Sequence, residues 1–294
     1  MESSNPVFRN AGGFNGKATR NAYGNTTYPA SGMTYPAYGA PSRGARGAGG
    51  YDAGTPPTML DRGRMTIDTV VQKTGLTLGL LVLAAAATWL LTGDPRGLGP
   101  DSQSVARSLY LLAMVGAFGG FGLSLVNSFK RVASPTLVLA YAVLEGVFIG
   151  AMSKVFDAMF GGGIILGAVL GTVAAFAGTL AAYKFFDIKV GNRFRRWVVG
   201  AMFGFVAVSV LDLVLSFFGA SFGFNGLGPV GLISSVIGLG LGVLMLILDF
   251  DYVERGVAAG LPEQESWRAA FGLTVTIVWI YIELLRILAI LRGN

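Results

Sequence analysis

The chain has no cysteine and no histidine among its 294 residues. Disulfides, thiolate nucleophiles and zinc or haem sites built on Cys or His are therefore excluded. The side chain that ordinarily titrates near neutral pH is missing too, so any response to pH must come from carboxylates. Charge is scarce: Asp, Glu, Lys and Arg make up 13% of the chain, against about 25% in an ordinary soluble domain. The final lysine is Lys189, which excludes a retinal Schiff base in the last apolar stretch. Zinc-dependent and rhomboid-like intramembrane proteolysis lack their histidines. No glycine cluster stands between a strand and a helix with a Walker lysine behind it, so phosphate binding is not indicated. These absences point away from an enzyme.

What remains is apolar. Hydrophobic residues are 53% of the chain and the mean hydropathy is +0.61. Seven apolar stretches run approximately over 67–92, 106–128, 134–155, 163–183, 197–218, 229–250 and 268–291. A hydrocarbon core of ~30 Å needs ~20 helical residues, and every stretch is long enough. Strand-period alternation is absent, which argues against a β-barrel. We read an all-α, polytopic membrane protein of seven transmembrane helices, its solvent being the lipid bilayer. A tail over 1–62 precedes a transmembrane domain over 63–294. The tail is rich in Gly, Tyr and Pro and repeats Thr-Tyr-Pro at Thr27–Pro29 and Thr34–Pro36. It carries too little aliphatic surface to offset chain entropy, so disorder is expected there. The first stretch lies too deep in the chain for a cleavable signal peptide.

The net charge of +6 follows topology and is not a nucleic-acid signal. Basic residues gather in the tail (Arg9, Lys17, Arg20, Arg43, Arg46, Arg62, Arg64), in loop 2–3 (Lys130, Arg131) and in loop 4–5 (Lys184, Lys189, Arg193, Arg195, Arg196). On the opposite side, loop 1–2 has Arg96 and Arg107, loop 3–4 has Lys154, and loop 5–6 is uncharged. The positive-inside bias places the amino terminus in the cytoplasm and the carboxyl terminus outside.

Polar groups inside the stretches mark the candidate site. Glu145 is expected ~16 Å from the cytoplasmic helix starts, and Asp212 and Glu283 ~22 Å. Asp249 closes the sixth stretch. An ionised carboxylate at the membrane centre costs ~3 kcal/mol on the lenient scale, so such groups face the bundle interior or a wet cavity. Glu145, Asp212, Glu283 and Asp249 thus form a candidate ion path. Their hard oxygens suit Ca²⁺ as the transported ion, with Asp249 and Glu283 as candidate ligands and no cofactor. Glu283 and Arg286 share a helix face and are placed to neutralise each other. Asp249 and Asp251 point to different faces, and the deeper Asp249 is expected to look inward. The glycines at 119, 120, 122, 167, 171, 238, 240 and 242 suit close helix packing.

The run Leu248–Asp249–Phe250–Asp251–Tyr252–Val253–Glu254 and the later Trp279–Ile280–Tyr281–Ile282–Glu283–Leu284–Leu285–Arg286–Ile287–Leu288 resemble the end of the Bax-inhibitor (TMBIM, YccA-like) family. Ser4–Asn5–Pro6–Val7–Phe8 resembles its bacterial branch with a long Gly/Tyr-rich tail. The resemblance covers roughly residues 60–294. It implies a pH-sensitive calcium leak, in which an Asp ending the sixth helix shares a proton with an Asp of the seventh. It also implies a basic residue from the second helix that latches the first Asp. Asp249 matches the first position. Glu283 is the only carboxylate of the seventh stretch, whereas registering on Leu284–Leu285–Arg286 places Thr276 at the second position. Lys130 and Arg131 are the latch candidates by topology. The alternative reading is a non-conducting regulator that binds another membrane protein, such as a membrane-bound protease.

Overall fold

The computed structural model describes residues 63–97, 100–130 and 132–293, together with Thr19–Arg20 and Thr26–Thr27. These last two pairs are β1 and β2, joined antiparallel with Thr19 opposite Thr27. The chain divides into residues 1–55 and 56–294. The expectation of disorder over 1–62 otherwise falls outside the described residues.

The second unit is all-α. Its helices are α1 (Ile67–Leu91), α2 (Pro100–Phe129), α3 (Pro135–Phe160), α4 (Ile164–Phe185), α5 (Asn192–Phe217), α6 (Pro229–Ala258) and α7 (Glu265–Gly293). All seven are long and apolar enough to cross a membrane. Several begin well before the apolar stretch that announces them. Starts are set by capping and by proline: Thr66 accepts from the Thr69 amide while Thr69 reaches back to the Thr66 amide, and Pro135 and Pro229 stand in the first turns of α3 and α6. The missing amide of a proline costs nothing at that position. Between α3 and α4 the chain reverses through Gly161 (φ 84°) and Gly163 (φ 98°), conformations that glycine adopts without a Cβ clash.

Each helix runs against its sequence neighbour, so the bundle has two ends. We call proximal the end where α1, α3, α5 and α7 begin, and distal the end where they finish. Helix α7 is the centre, packing against α1, α3, α4 and α6. Its faces fill two of the core clusters, one through Tyr281, Leu285 and Ala289, the other through Ala269, Leu273 and Ile280. Tyr281 also shares a hydrogen bond with Ser153 of α3 at 2.7 Å. Helices α2 and α5 are peripheral, laid against α3 and α6 respectively. Much of the remaining surface is apolar, with Leu83, Phe118 and Phe203 among the exposed side chains, as a lipid-facing surface requires.

The segment ahead of α1 is tied to the turn between α6 and α7. The Met65 amide donates to the Leu261 carbonyl (2.7 Å) and the Glu263 amide to the Gly63 carbonyl (2.8 Å). The Met65 side chain is buried beside Gly256.

Candidate functional site

At the proximal end, α6 presents two aspartates with unlike surroundings. Asp249 faces α7, where Thr276 Oγ1 donates to its Oδ2 at 2.6 Å and Gly272 leaves room for its other oxygen. No ion pair reaches Asp249 among the described residues. Asp251 is the more buried of the two, at 4% exposure. It is held by Arg195 of α5 (Nη2, 2.7 Å) and by Arg255 one turn along α6 (Nε, 2.8 Å). Arg255 also donates to the Val190 carbonyl. Asp251 therefore joins α5 to α6, and Asp249 looks inward with only a hydroxyl for company.

Glu145 lies in the middle of α3, ten residues past Pro135, ~15 Å along the helix. It is buried, and its carboxylate lies on the bare face of Gly120 of α2, where a methyl group would come within 2.7 Å of Oε2. Tyr141, one turn toward the proximal end, flanks the same glycine. No cation pairs with Glu145 among the described residues.

Toward the distal end the chemistry differs. Because α5 and α7 begin early, Asp212 and Glu283 stand farther up than the apolar stretches suggest, ~30 Å and ~27 Å from their helix starts. Glu283 Oε2 takes a hydrogen bond from Arg286 Nη1 at 3.2 Å. Its carboxylate rests on Gly238 of α6, next to Ser235. Asp212 accepts from the amides of Phe222 (2.9 Å), Gly223 (3.2 Å) and Asn225 (2.8 Å) and from the Ser221 hydroxyl (3.0 Å). These four donors make it the anchor of the α5–α6 loop.

The expected ladder thus separates into groups. Opposite Asp249 stands Thr276, seven residues before Glu283 on α7, so Asp249 and Glu283 are ~10 Å apart along that helix and share no ligand site. No set of three or more acidic residues converges on a metal position among the described residues. Of the latch candidates, Arg131 lies outside the described residues. Lys130 is exposed, and its carbonyl accepts from Arg268. The arginine that reaches the end of α6 comes from α5, and it takes Asp251 rather than Asp249. The acidic turn between α6 and α7 is likewise engaged. Glu263 binds Lys73 (2.8 Å), Glu265 binds Arg268 (2.7 Å) and Tyr252 (2.9 Å), and Glu254 binds Tyr183 (2.5 Å).

Sequence reasoning did not reach Arg195 and Arg255 as partners of Asp251, or Ser234 and Asn225 as anchors of the distal loop. Arg255 carried a signal, since it lies four residues beyond Asp251 on one helix face. The others come together across helices, and no spacing records that.

A bundle of seven membrane-crossing helices around a central last helix, with an aspartate of the sixth facing it, is the setting in which similarity to known proteins becomes informative. The profile of the family described as Bax inhibitor 1 like matches residues 5–293. An uncharacterized protein of Chlamydia muridarum (strain MoPn / Nigg) is 29% identical over 202 residues, covering 65% of this chain and 82% of that one. With the profile spanning nearly the whole length, the chain belongs to the Bax inhibitor 1-like family of membrane proteins.

Proposed function

We propose that this protein is a pH-sensitive cation leak, with calcium as the ion its oxygen ligands suit and with Asp249 and Glu145 as the groups that meet ion and proton. One observation carries the reading. Within an apolar bundle, Asp249 and Glu145 have no cationic partner among the described residues, whereas Asp251 and Glu283 have arginines and Asp212 has four donors. An unpaired carboxylate in a membrane costs ~3 kcal/mol or more, and such groups are kept where ions or protons pass. The charge bias supports a cytoplasmic proximal end, and the resemblance to the bacterial branch supports a bacterial cell membrane. On α7, Asp249 faces the Thr276 hydroxyl rather than a second carboxylate.

The test is flux. Purified protein in liposomes loaded with a calcium dye is expected to release the gradient at a rate that changes with pH. Flux no greater than that of empty liposomes at every pH overturns the reading. A second reading, a non-conducting regulator bound to another membrane protein such as a membrane-bound protease, draws support from the peripheral α2 and α5, each laid against one neighbour and apolar toward lipid. Absence of flux together with a specific membrane-protein partner on these helices favours it.

A further inference from the structure

The α5–α6 loop, residues 218–228, contains no charged residue, yet charged and polar groups from three helices hold it. Asp212 of α5 gathers its amides, as described above. Ser209 of α5 donates to Asn225 Oδ1 (2.6 Å) and accepts from Asn225 Nδ2 through its carbonyl (2.7 Å). Ser234 of α6 donates to the Phe224 carbonyl at 2.6 Å. Arg286 of α7 donates to the carbonyls of Phe224 (2.9 Å) and Gly226 (3.4 Å). The turn back over the bundle passes through Gly219 (φ 72°) and Gly223 (φ 84°). Phe224 then packs against Phe205 with the rings tilted and their centres 5.0 Å apart. Beneath it lie Ser234, Ser235 and Glu283, all at 4% exposure or less.

Hydrophobic burial in this seat centres on Phe224, which packs on Phe205 and Phe222. Phe218, Phe222 and Leu227 are 79%, 45% and 38% exposed. The loop is held mainly by hydrogen bonds at the distal end, those to Asp212 and from Arg286 being charge-assisted, and water takes over their partners when the loop lifts. Segments with few buried apolar contacts open first. Glu283 and Arg286 pair with each other and stay charge-balanced when the loop lifts, whereas Asp212 exchanges its four loop donors for water.

We propose that this loop is a distal gate: seated, it seals Ser235, Glu283 and Arg286 from the solution on that side, and lifted, it opens the bundle to it. Its effect on flux rests on the leak reading, whereas its opening can be measured without flux. The chain has no cysteine, so introduced thiols are the only ones present. Ser209→Cys with Asn225→Cys, at a pair of side chains already in contact, gives a disulfide that holds the loop to α5. Adding Ser235→Cys reports access from the distal side to a membrane-impermeant methanethiosulfonate reagent, read at that residue by mass spectrometry. Oxidation is expected to slow modification of residue 235 by about tenfold and to lower flux, both reversed by reductant. In a separate Ser235→Cys background, Asn225→Ala removes two surface hydrogen bonds and should speed modification severalfold. Equal modification in the oxidised and reduced forms, or no acceleration by Asn225→Ala, overturns the gate. If modification follows the loop while no form conducts, the gate stands and the leak reading falls. If the wild type conducts and the disulfide leaves flux unchanged, the loop does not gate.

Discussion

Asp249 and Asp251 sit two residues apart on α6 and meet opposite chemistry. Asp251 is consumed by two arginines, and Asp249 has one hydroxyl. Their variants should therefore separate. Asp249→Asn is expected to remove the pH dependence of flux while the protein keeps its thermal stability, since the amide oxygen can still accept from Thr276. Asp251→Asn should keep the pH profile and lower stability by about 1–3 kcal/mol, read as a drop in melting temperature in detergent, because Arg195 and Arg255 lose a charged partner. The lower part of that range is expected, as both arginines are about half exposed and water screens the loss. If Asp249→Asn keeps the wild-type pH midpoint, or Asp251→Asn abolishes it, the assignment is reversed. For Glu145, Glu145→Gln should change flux without loss of insertion, whereas Asp212→Asn should disturb the distal loop, because an amide replaces one of the two acceptor oxygens with a donor.

At the scale of the element, the closest approach in the bundle is that of α1 to α3. Gly146 and Gly150 of α3 meet the α1 backbone at Leu81 and Ala85, so closely that no methyl group fits without a shift. Gly75 and Gly79 of α1 face open space. Gly146→Leu is expected to push the two helices apart and destabilise by 1–3 kcal/mol or more, seen as lost yield and lower melting temperature in detergent. Gly75→Ala should be neutral or mildly stabilising, because alanine improves the helix and meets nothing. Equal effects of the two would mean that this seam is not what joins α1 to α3. The glycine pattern was legible in the sequence as a class. Gly119, Gly120, Gly167, Gly171, Gly238 and Gly242 do face neighbouring helices, while Gly122 and Gly240 face none. The tight pair Gly146 and Gly150 has the four-residue spacing of close helix packing, but Gly75 and Gly79 share that spacing and face open space, because which face of a helix is covered depends on the neighbour.

For the whole molecule, two predictions follow from its two ends. Reporter fusions at Arg195 and near Asn294 are expected on opposite faces of the membrane, since α5, α6 and α7 lie between them. Finding both on one face would sink the seven-span arrangement. Deleting residues 1–58 should leave insertion and melting temperature nearly intact, whereas deletion through Met65 should lower stability, because the Met65 side chain and the hydrogen bonds of Gly63 and Met65 close the proximal end against the α6–α7 turn. The amino-acid sequence by itself determined the class of this protein. Seven runs of apolar residues, each long enough to cross ~30 Å, leave the backbone no choice but helices that satisfy their own hydrogen bonds in lipid. It also singled out the carboxylates and carried the family resemblance at Leu248–Glu254 and Trp279–Leu288, which the profile match confirms. The roles of those carboxylates were decided only by tertiary structure. Burial makes a carboxylate costly, but its cost is met by whichever donor another helix brings within ~3 Å. Arg195 reaches Asp251 across 56 residues of chain, Thr276 reaches Asp249 across 27, and the loop amides fold back onto Asp212. Those meetings depend on helix rotation and crossing, which hydropathy does not encode.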